Sequence, residues 1–221
     1  VPPLFFPDPN RSSPEGIVAV GGDLAPEKLL DAYRHGIFPW PQSGIEPMLW
    51  WSPDPRAILP LDGFYASQRL LRRIRSGQFT VTRDQAFREV MNGCATGPGR
   101  EEGTWITPEI IDAYTLLHEL GHAHSVEVWE AGELVGGTYG IAIGGLFAAE
   151  SMFHRVRDAS KVALFSLVEH LNAQGYQLLD VQQWTPHTGS LGVIEVRRRQ
   201  YLKRLAEVVD MNVGFEGSQE Y

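Results

Sequence analysis

Twelve of the fifteen prolines fall within the first 62 residues, and this distribution divides what the chain can fold into. Proline fixes φ, has no N–H to donate, and pushes the residue before it towards extended backbone. Long helices are therefore excluded from that stretch. One short helix fits, from Pro26 to His35, with proline in its first turn and Gly36 beyond its end. The runs Gly36-Ile37-Phe38-Pro39-Trp40-Pro41 and Leu49-Trp50-Trp51-Ser52-Pro53-Asp54-Pro55-Arg56 hold three of the six tryptophans. Residues 1–62 are expected to form a small irregular domain that presents aromatic rings.

From residue 63 the texture becomes regular. Helical patterning covers 67–75, 84–94, 107–120, 160–173 and 198–208. Strand patterning covers 79–82, 125–129, 134–143, 146–151 and 178–182, with hairpin signals at Ala131-Gly132 and Gly144-Gly145. This order predicts an α+β domain over 63–221, with a mostly antiparallel central sheet and a parallel strand entering late. The tail after Val213 reads as loose. The net charge of −8 argues against broad, nonspecific affinity for nucleic acid. No apolar run approaches the ~18 residues of a membrane span. The single cysteine, Cys94, excludes an intrachain disulfide framework and a Cys-rich zinc site, and is expected to be a buried small residue. With no secretion signal visible, these features predict a cytoplasmic protein.

His118-Glu119-Leu120-Gly121-His122 matches the His-Glu-x-x-His pattern of zinc peptidases, in which two imidazoles one helical turn apart bind metal beside a general base. That chemistry needs an unbroken helix through both histidines. Glycine just after the last apolar residue is the usual helix stop, and the following residues alternate as a strand. No metal is expected at His118 and His122.

Three other places could carry chemistry. Asp180 and Gln182 lie two apart on a predicted strand, so both face one way; buried polar groups there are either networked or line a site. Glu150 ends the apolar run Gly145-Leu146-Phe147-Ala148-Ala149, where an unpaired carboxylate costs several kcal/mol, and so is a candidate for a cationic or amine ligand. Trp105 sits on a loop after Glu101-Glu102-Gly103-Thr104 and could clamp a nucleobase with a tryptophan of the first domain. Arg69, Arg72, Arg73 and Arg75 share one predicted helix, the first three on one side. They form either a solvated face or a phosphate-binding patch. A second basic run, Arg197-Arg198-Arg199 with Lys203 and Arg204, has a weaker claim.

The blocks Gly36 to Trp40, Trp50 to Arg56, Glu101 to Thr107, His118 to Trp129 and Glu150-Ser151-Met152-Phe153, in this order, resemble the bacterial leucyl/phenylalanyl-tRNA–protein transferases. The resemblance runs from about Gly16 to about Leu202. It implies a carboxyl-terminal domain similar to GNAT acyltransferases and an N-degron enzyme. Such an enzyme moves Leu or Phe, less readily Met, from aminoacyl-tRNA to proteins that begin with Arg or Lys. It also implies no zinc, since His-Glu-Leu-Gly-His belongs to that family's pattern. No cofactor is expected: the segment His154 to Lys161 lacks the glycine-rich loop with which ordinary GNAT members hold coenzyme A. By the resemblance, Trp40 and Trp105 hold the terminal adenosine of the tRNA. Glu150, Asp180 and Gln182 are the catalytic set. Thr138, Phe147, Met152, Leu167 and Leu179 line the aminoacyl pocket, with Thr138 standing where the best-known member has methionine and Leu167 where it has phenylalanine. Arg69, Arg72, Arg73 and Arg75 correspond to the family's acceptor-stem cluster. The chemistry would be aminolysis, with Gln182 orienting the amine and Asp180 stabilising its charge or taking a proton through Gln182. The rival readings are a zinc peptidase and a module that binds aminoacyl-tRNA without transferring anything.

Overall fold

The computed structural model describes residues 3–41, 47–97 and 103–215. Its elements in chain order are β1 (Ile17–Val20), α1 (Pro26–Arg34), β2 (Phe38–Pro39), β3 (Leu49–Trp51), β4 (Arg56–Ile58), α2 (Gln68–Arg75), β5 (Thr80–Arg83), α3 (Phe87–Thr96), α4 (Pro108–Glu119), β6 (Ala123–Glu130), β7 (Glu133–Ile143), β8 (Leu146–His154), α5 (Ala159–Gln174), β9 (Leu178–Gln182), α6 (Pro186–Gly189), β10 (Ile194–Val196) and α7 (Arg198–Val208). The proline-rich region is extended as expected, and its short extended pieces pair as a three-stranded sheet in the order β1-β3-β2. Strand β4, which also lies in that region, joins a seven-stranded sheet in the order β10-β4-β9-β8-β7-β6-β5. Only the β8/β9 pair of that sheet is parallel among the described residues.

Local chemistry explains the boundaries. Ser67 accepts from Leu70 N–H at the start of α2, and Thr107 accepts from Ile110 N–H at the start of α4 with Pro108 next. The β6–β7 turn puts Ala131 and Gly132 at φ 51° and 85°, the two left-handed centres that a tight hairpin needs. Gly36 follows α1 at φ 72°, and a Cβ there would lie 2.7 Å from a methyl of Leu202. Glycine is thus required twice over at the junction that launches Phe38 to Trp40. Helix α3 begins at Phe87 rather than at Asp84, because Asp84 adopts φ 56° and its carboxylate is bonded to Ser125 N–H and His124 Nδ1 of β6 instead.

The large sheet is covered on both faces. Side chains of α1, α3, α4 and α7 pack with the small sheet in one hydrophobic cluster, which includes Tyr139, Ile141, Leu146 and Ala148. Helices α2 and α5 pack in a second cluster with Val126, Val128, Phe147 and Leu179. Adjacent residues Leu146, Phe147 and Ala148 alternate between the two, as a doubly covered strand must. Cys94 is buried as expected. The tail is not loose at its start: Phe215 is buried, stacked on His124 at 4.2 Å and on Phe147 at 5.6 Å between ring centroids. Residues 216–221 lie outside the described residues. No helix among the described residues is long and apolar enough to cross a membrane.

Candidate active site

The site arises where two strands part. Strands β8 and β9 pair in parallel only through Leu146↔Leu178, Phe147↔Leu179 and Ala148↔Asp180. Beyond that point a cavity of about 400 Å³ is lined by Ala149, Glu150, Ser151 and Met152 on one side and Val181, Gln182 and Gln183 on the other. Clefts outside strand ends are where ligands of such sheets bind. The register aims one side chain in particular. Tyr139 pairs with Ser151 and Gly140 with Ala149, so Glu150 is the extra residue of a β-bulge, a device that re-aims a side chain. Phe38, Pro39 and Trp40 from the proline-rich region line it too, together with Trp105; Thr138, Leu164, Thr185, His187, Thr188 and Val193 form its remaining wall.

Glu150 is the electrostatic centre. Gln182 Nε2 donates to Glu150 Oε1 at 2.6 Å. Glu150 Oε2 is buried with no partner in hydrogen-bonding geometry, although the Tyr33 hydroxyl lies close enough to favour the charged form. Tyr33 shares a 2.5 Å hydrogen bond with Tyr114. Burial pushes the Glu150 carboxyl up to about 8, with the negative charge of Asp180 adding to the rise; the Tyr33 hydroxyl, the Gln182 amide and Arg56 oppose it without cancelling it. A carboxyl raised this far in a cleft is poised to ionise when a cation arrives.

Asp180 is organised differently. It is fully buried, and four donors reach its carboxylate: Arg56 Nε at 2.9 Å, Arg56 Nη2 at 2.5 Å, the Tyr201 hydroxyl at 2.8 Å and the backbone N–H of Gln182 at 2.9 Å. Arg56 also donates from Nη1 to Gly36 O at 3.0 Å, and its guanidinium lies over the rings of Phe38 and Tyr201. Gln182 sits at φ 64°, a left-handed conformation that costs about 1–3 kcal/mol for a residue with a side chain. The Asp180 carboxylate, by accepting the Gln182 N–H, holds it there. The side-chain link from Asp180 to Gln182 that a proton relay requires is replaced by this backbone link, because the Gln182 amide points to Glu150.

The cavity also gathers Trp40, Trp105, Thr138 and Met152. The Thr138 hydroxyl donates to Ser151 O at 2.9 Å and is thereby satisfied within the sheet. Phe147, Leu167 and Leu179, expected in the pocket lining, do not line the cavity but are buried behind it in the second cluster; Leu164 and Val181 supply apolar wall instead. Glu101 and Glu102 lie outside the described residues. Arg69, Arg72 and Arg73 line one open depression with Ser76 and Gln78, while Arg75 is exposed outside it. Arg73 pairs with Asp158 at 3.5 Å and lies over Phe79. Arg198, of the second basic run, instead ties α7 to the proline-rich region by donating to Ser52 O at 2.6 Å.

Helix α4 ends at Glu119, and Gly121 follows at φ 78°. His118 and His122 therefore do not stand one helical turn apart. His118 stacks on Phe87 and its Nδ1 bonds Ala123 O at 2.8 Å. The group with metal-type spacing among the described residues is Asp84, His118 and His124. Its atoms are engaged in holding the start of β6: His124 Nδ1 and Ser125 N–H both reach the Asp84 carboxylate at 2.8 Å.

Sequence reasoning missed Arg56, Tyr33, Tyr114, Leu164 and His187. For Arg56 a signal was present: an arginine entering the apolar run Ala57-Ile58-Leu59 needs a buried partner.

The chain has known relatives. The sequence model described as leucyl/phenylalanyl-tRNA protein transferase matches residues 58–206, and that of the same protein's N-terminal domain matches residues 22–54. The leucyl/phenylalanyl-tRNA–protein transferase of Solidesulfovibrio magneticus is 53% identical over 201 residues, covering 90% of this chain and 81% of that protein. The one of Stutzerimonas stutzeri is 52% identical over 209 residues, covering 94% and 92%. Among solved structures, FemX superposes over 78% of this chain and 66% of its own, with a TM-score of 0.49 and 13% identity. A GCN5-related N-acetyltransferase from Kribbella flavida covers 76% and 60%, with a TM-score of 0.40 and 11% identity. At more than half identity along nine-tenths of its length, and with both family models matched in order, this chain belongs to the leucyl/phenylalanyl-tRNA–protein transferase family.

Proposed function

We propose that this enzyme takes Leu or Phe, and less readily Met, from aminoacyl-tRNA and joins it by a peptide bond to cytoplasmic proteins that begin with Arg or Lys, marking them for N-degron degradation. The observation that carries this reading is the cavity's content. Two indoles, an apolar wall and a buried carboxylate with an amide beside it all face one space of about 400 Å³. Trp40 and Trp105 would hold the terminal adenosine, since stacking contributes about 1–3 kcal/mol per base. Met152, Ala149, Leu164 and Val181, with Thr138, would take the aminoacyl side chain. Phe147, Leu167 and Leu179 would shape this pocket from the second cluster. Glu150 would receive the cationic acceptor residue.

An α-amine titrates near ~7.7–8.0, so part of it is already a neutral nucleophile at cell pH. The enzyme's main contribution is then positioning, which can supply ~7–11 kcal/mol. With Gln182 Nε2 committed to Glu150, its Oε1 is left to accept a hydrogen from the attacking amine. Asp180 acts by fixing the Gln182 backbone and by its charge, which favours the developing ammonium. The selectivity test is direct: leucyl- and phenylalanyl-tRNA should be used far faster than aspartyl- or lysyl-tRNA. Burying an unpaired charge costs several kcal/mol, whereas one methylene is worth about 0.8 kcal/mol. Aspartyl transfer at the leucyl rate would contradict the pocket.

Glu150 gives a pH prediction with two opposite signs. Capture of a cation needs the ionised carboxyl, so affinity for an Arg-starting peptide should rise with pH up to about 8. Stability should move the other way. A carboxyl whose pKa is raised on folding binds its proton more tightly in the native state, so its contribution is full below the unfolded value of 4.5 and is lost as pH rises through about 8. Calorimetric titration and thermal melts over this range, each repeated on Glu150→Gln, read the two trends; both should flatten in the variant.

Arg69, Arg72 and Arg73 would meet tRNA phosphates. Each lost phosphate contact should weaken binding and reduce the salt slope by about one. The triple alanine variant should bind charged tRNA weakly with a flattened slope. Normal binding with an unchanged slope would make the depression a solvated face.

A further inference from the structure

We propose that His187 carries the proton from the attacking α-amine to the ribose oxygen that leaves. This rests on the transfer reaction proposed above. In that reaction a C–N bond forms, a C–O bond breaks, and one N–H proton must end on the departing 3′ oxygen. The substrates supply every atom, so the only requirement on the protein is a group that takes the proton and returns it.

The residues that line the cavity leave few such groups. Asp180 is fully buried under four donors and is not part of the lining. Glu150 Oε1 accepts from Gln182, and this carboxyl is assigned to the acceptor's cation. The Thr138 hydroxyl is bound to Ser151 O, and the Thr185 and Thr188 hydroxyls are bound to one another. Gln182 and Gln183 are amides, far too weak as bases to hold a proton. His187 is the one imidazole in the wall, and its ring has no hydrogen-bond partner among the described residues.

Its position is fixed although its ring is free. It follows Gln182 by one short turn, at the second residue of α6. A reciprocal capping box closes that turn: Thr185 N–H donates to Thr188 Oγ1 at 2.9 Å and Thr188 N–H to Thr185 Oγ1 at 3.1 Å. The Ser190 hydroxyl donates to His187 O at 2.7 Å. His187 is exposed at the cavity's rim; desolvation of the ring first, then Lys161 of α5 and His154 at the end of β8, lower its pKa. The imidazole therefore starts neutral at cell pH with a lone pair to offer, becomes charged only while it holds the amine's proton, and ends neutral again.

The experiment compares wild type, His187→Gln and His187→Ala by single-turnover transfer from leucyl-tRNA to an Arg-starting peptide. The expected loss for His187→Gln is about 10²–10⁴-fold in rate, with affinities for leucyl-tRNA and peptide unchanged. The ratio of wild-type to variant rates should carry the histidine's own titration, since the amine and Glu150 titrate in both proteins. Free imidazole should restore rate to His187→Ala. A His187→Gln rate close to wild type, or a loss confined to affinity, would overturn the role. So would imidazole failing to rescue. Absence of transfer by the wild type would overturn the proposed function itself, which separates the two failures.

Discussion

Exchange of Arg56 for alanine is expected to cost about 3–5 kcal/mol of stability, which for a chain of this size lowers Tm by roughly 6–20 °C. The reason is what remains behind. Burial opposes the Arg56 charge, and the facing Asp180 carboxylate offsets that burial and raises the pKa of the pair's cation. Without the guanidinium, Asp180 stays buried with only Tyr201 and the Gln182 N–H as donors, and Gly36 O loses its partner. Arg56→Lys should recover little, because an ammonium cannot replace a planar fork that serves Asp180 twice and Gly36 once. Replacing the pair by Arg56→Met with Asp180→Leu should recover much of the stability, as apolar substitutes for buried ion pairs often do. Transfer should stay impaired, because the acceptor that holds Gln182 at φ 64° is gone. Thermal melts and single-turnover rates on the three proteins check this. An Arg56→Ala melt within a degree or two of wild type would refute the clamp.

Glu150→Ala should weaken capture of Arg- or Lys-starting acceptors by about 2–5 kcal/mol, roughly 30-fold to several thousand-fold, while leaving tRNA affinity alone. Gln182→Ala should instead slow the chemical step at saturating acceptor, again with tRNA affinity intact, since neither residue belongs to the arginine depression. Asp180→Ala combined with Gln182→Ala should cost little more than the worse single change, because the two act as one unit. Acceptor titrations under single-turnover conditions separate affinity from rate. An additive double variant would mean that Asp180 acts on something other than Gln182.

What the sequence revealed follows from how local each signal is. Strand β9 and helix α7 have the limits that their periodicity predicts, Leu178–Gln182 and Arg198–Val208, because each carries its pattern within itself. Strands β2, β3, β4 and β10 span two or three residues each, too short for any period to register, and β4 exists only because β9 and β10 flank it. Glu150 and Gln182 were legible because a charge or amide in an apolar strand demands an explanation. Their geometry was not: the bulge that aims Glu150 depends on β7, and the left-handed turn at Gln182 depends on Asp180 and, through it, on Arg56, 124 residues away. The same distance concealed the difference between Asp180 and Gln182. Period two placed both on one face, yet one is sealed by an arginine from the proline-rich region and the other opens on the cavity.

The central claim is that the cavity between β8 and β9 joins a bulky apolar amino acid to a cationic N-terminus, using Glu150 and Gln182. The most direct measurement is the mass of an Arg-starting peptide after incubation with leucyl-tRNA and the enzyme, beside the same peptide starting with Asp. The account predicts that the Arg peptide gains one leucyl residue at its N-terminus, that the Asp peptide gains none, and that Gln182→Ala with Glu150→Ala abolishes the gain. Equal leucylation of both peptides, or full leucylation by the doubly substituted enzyme, would contradict it.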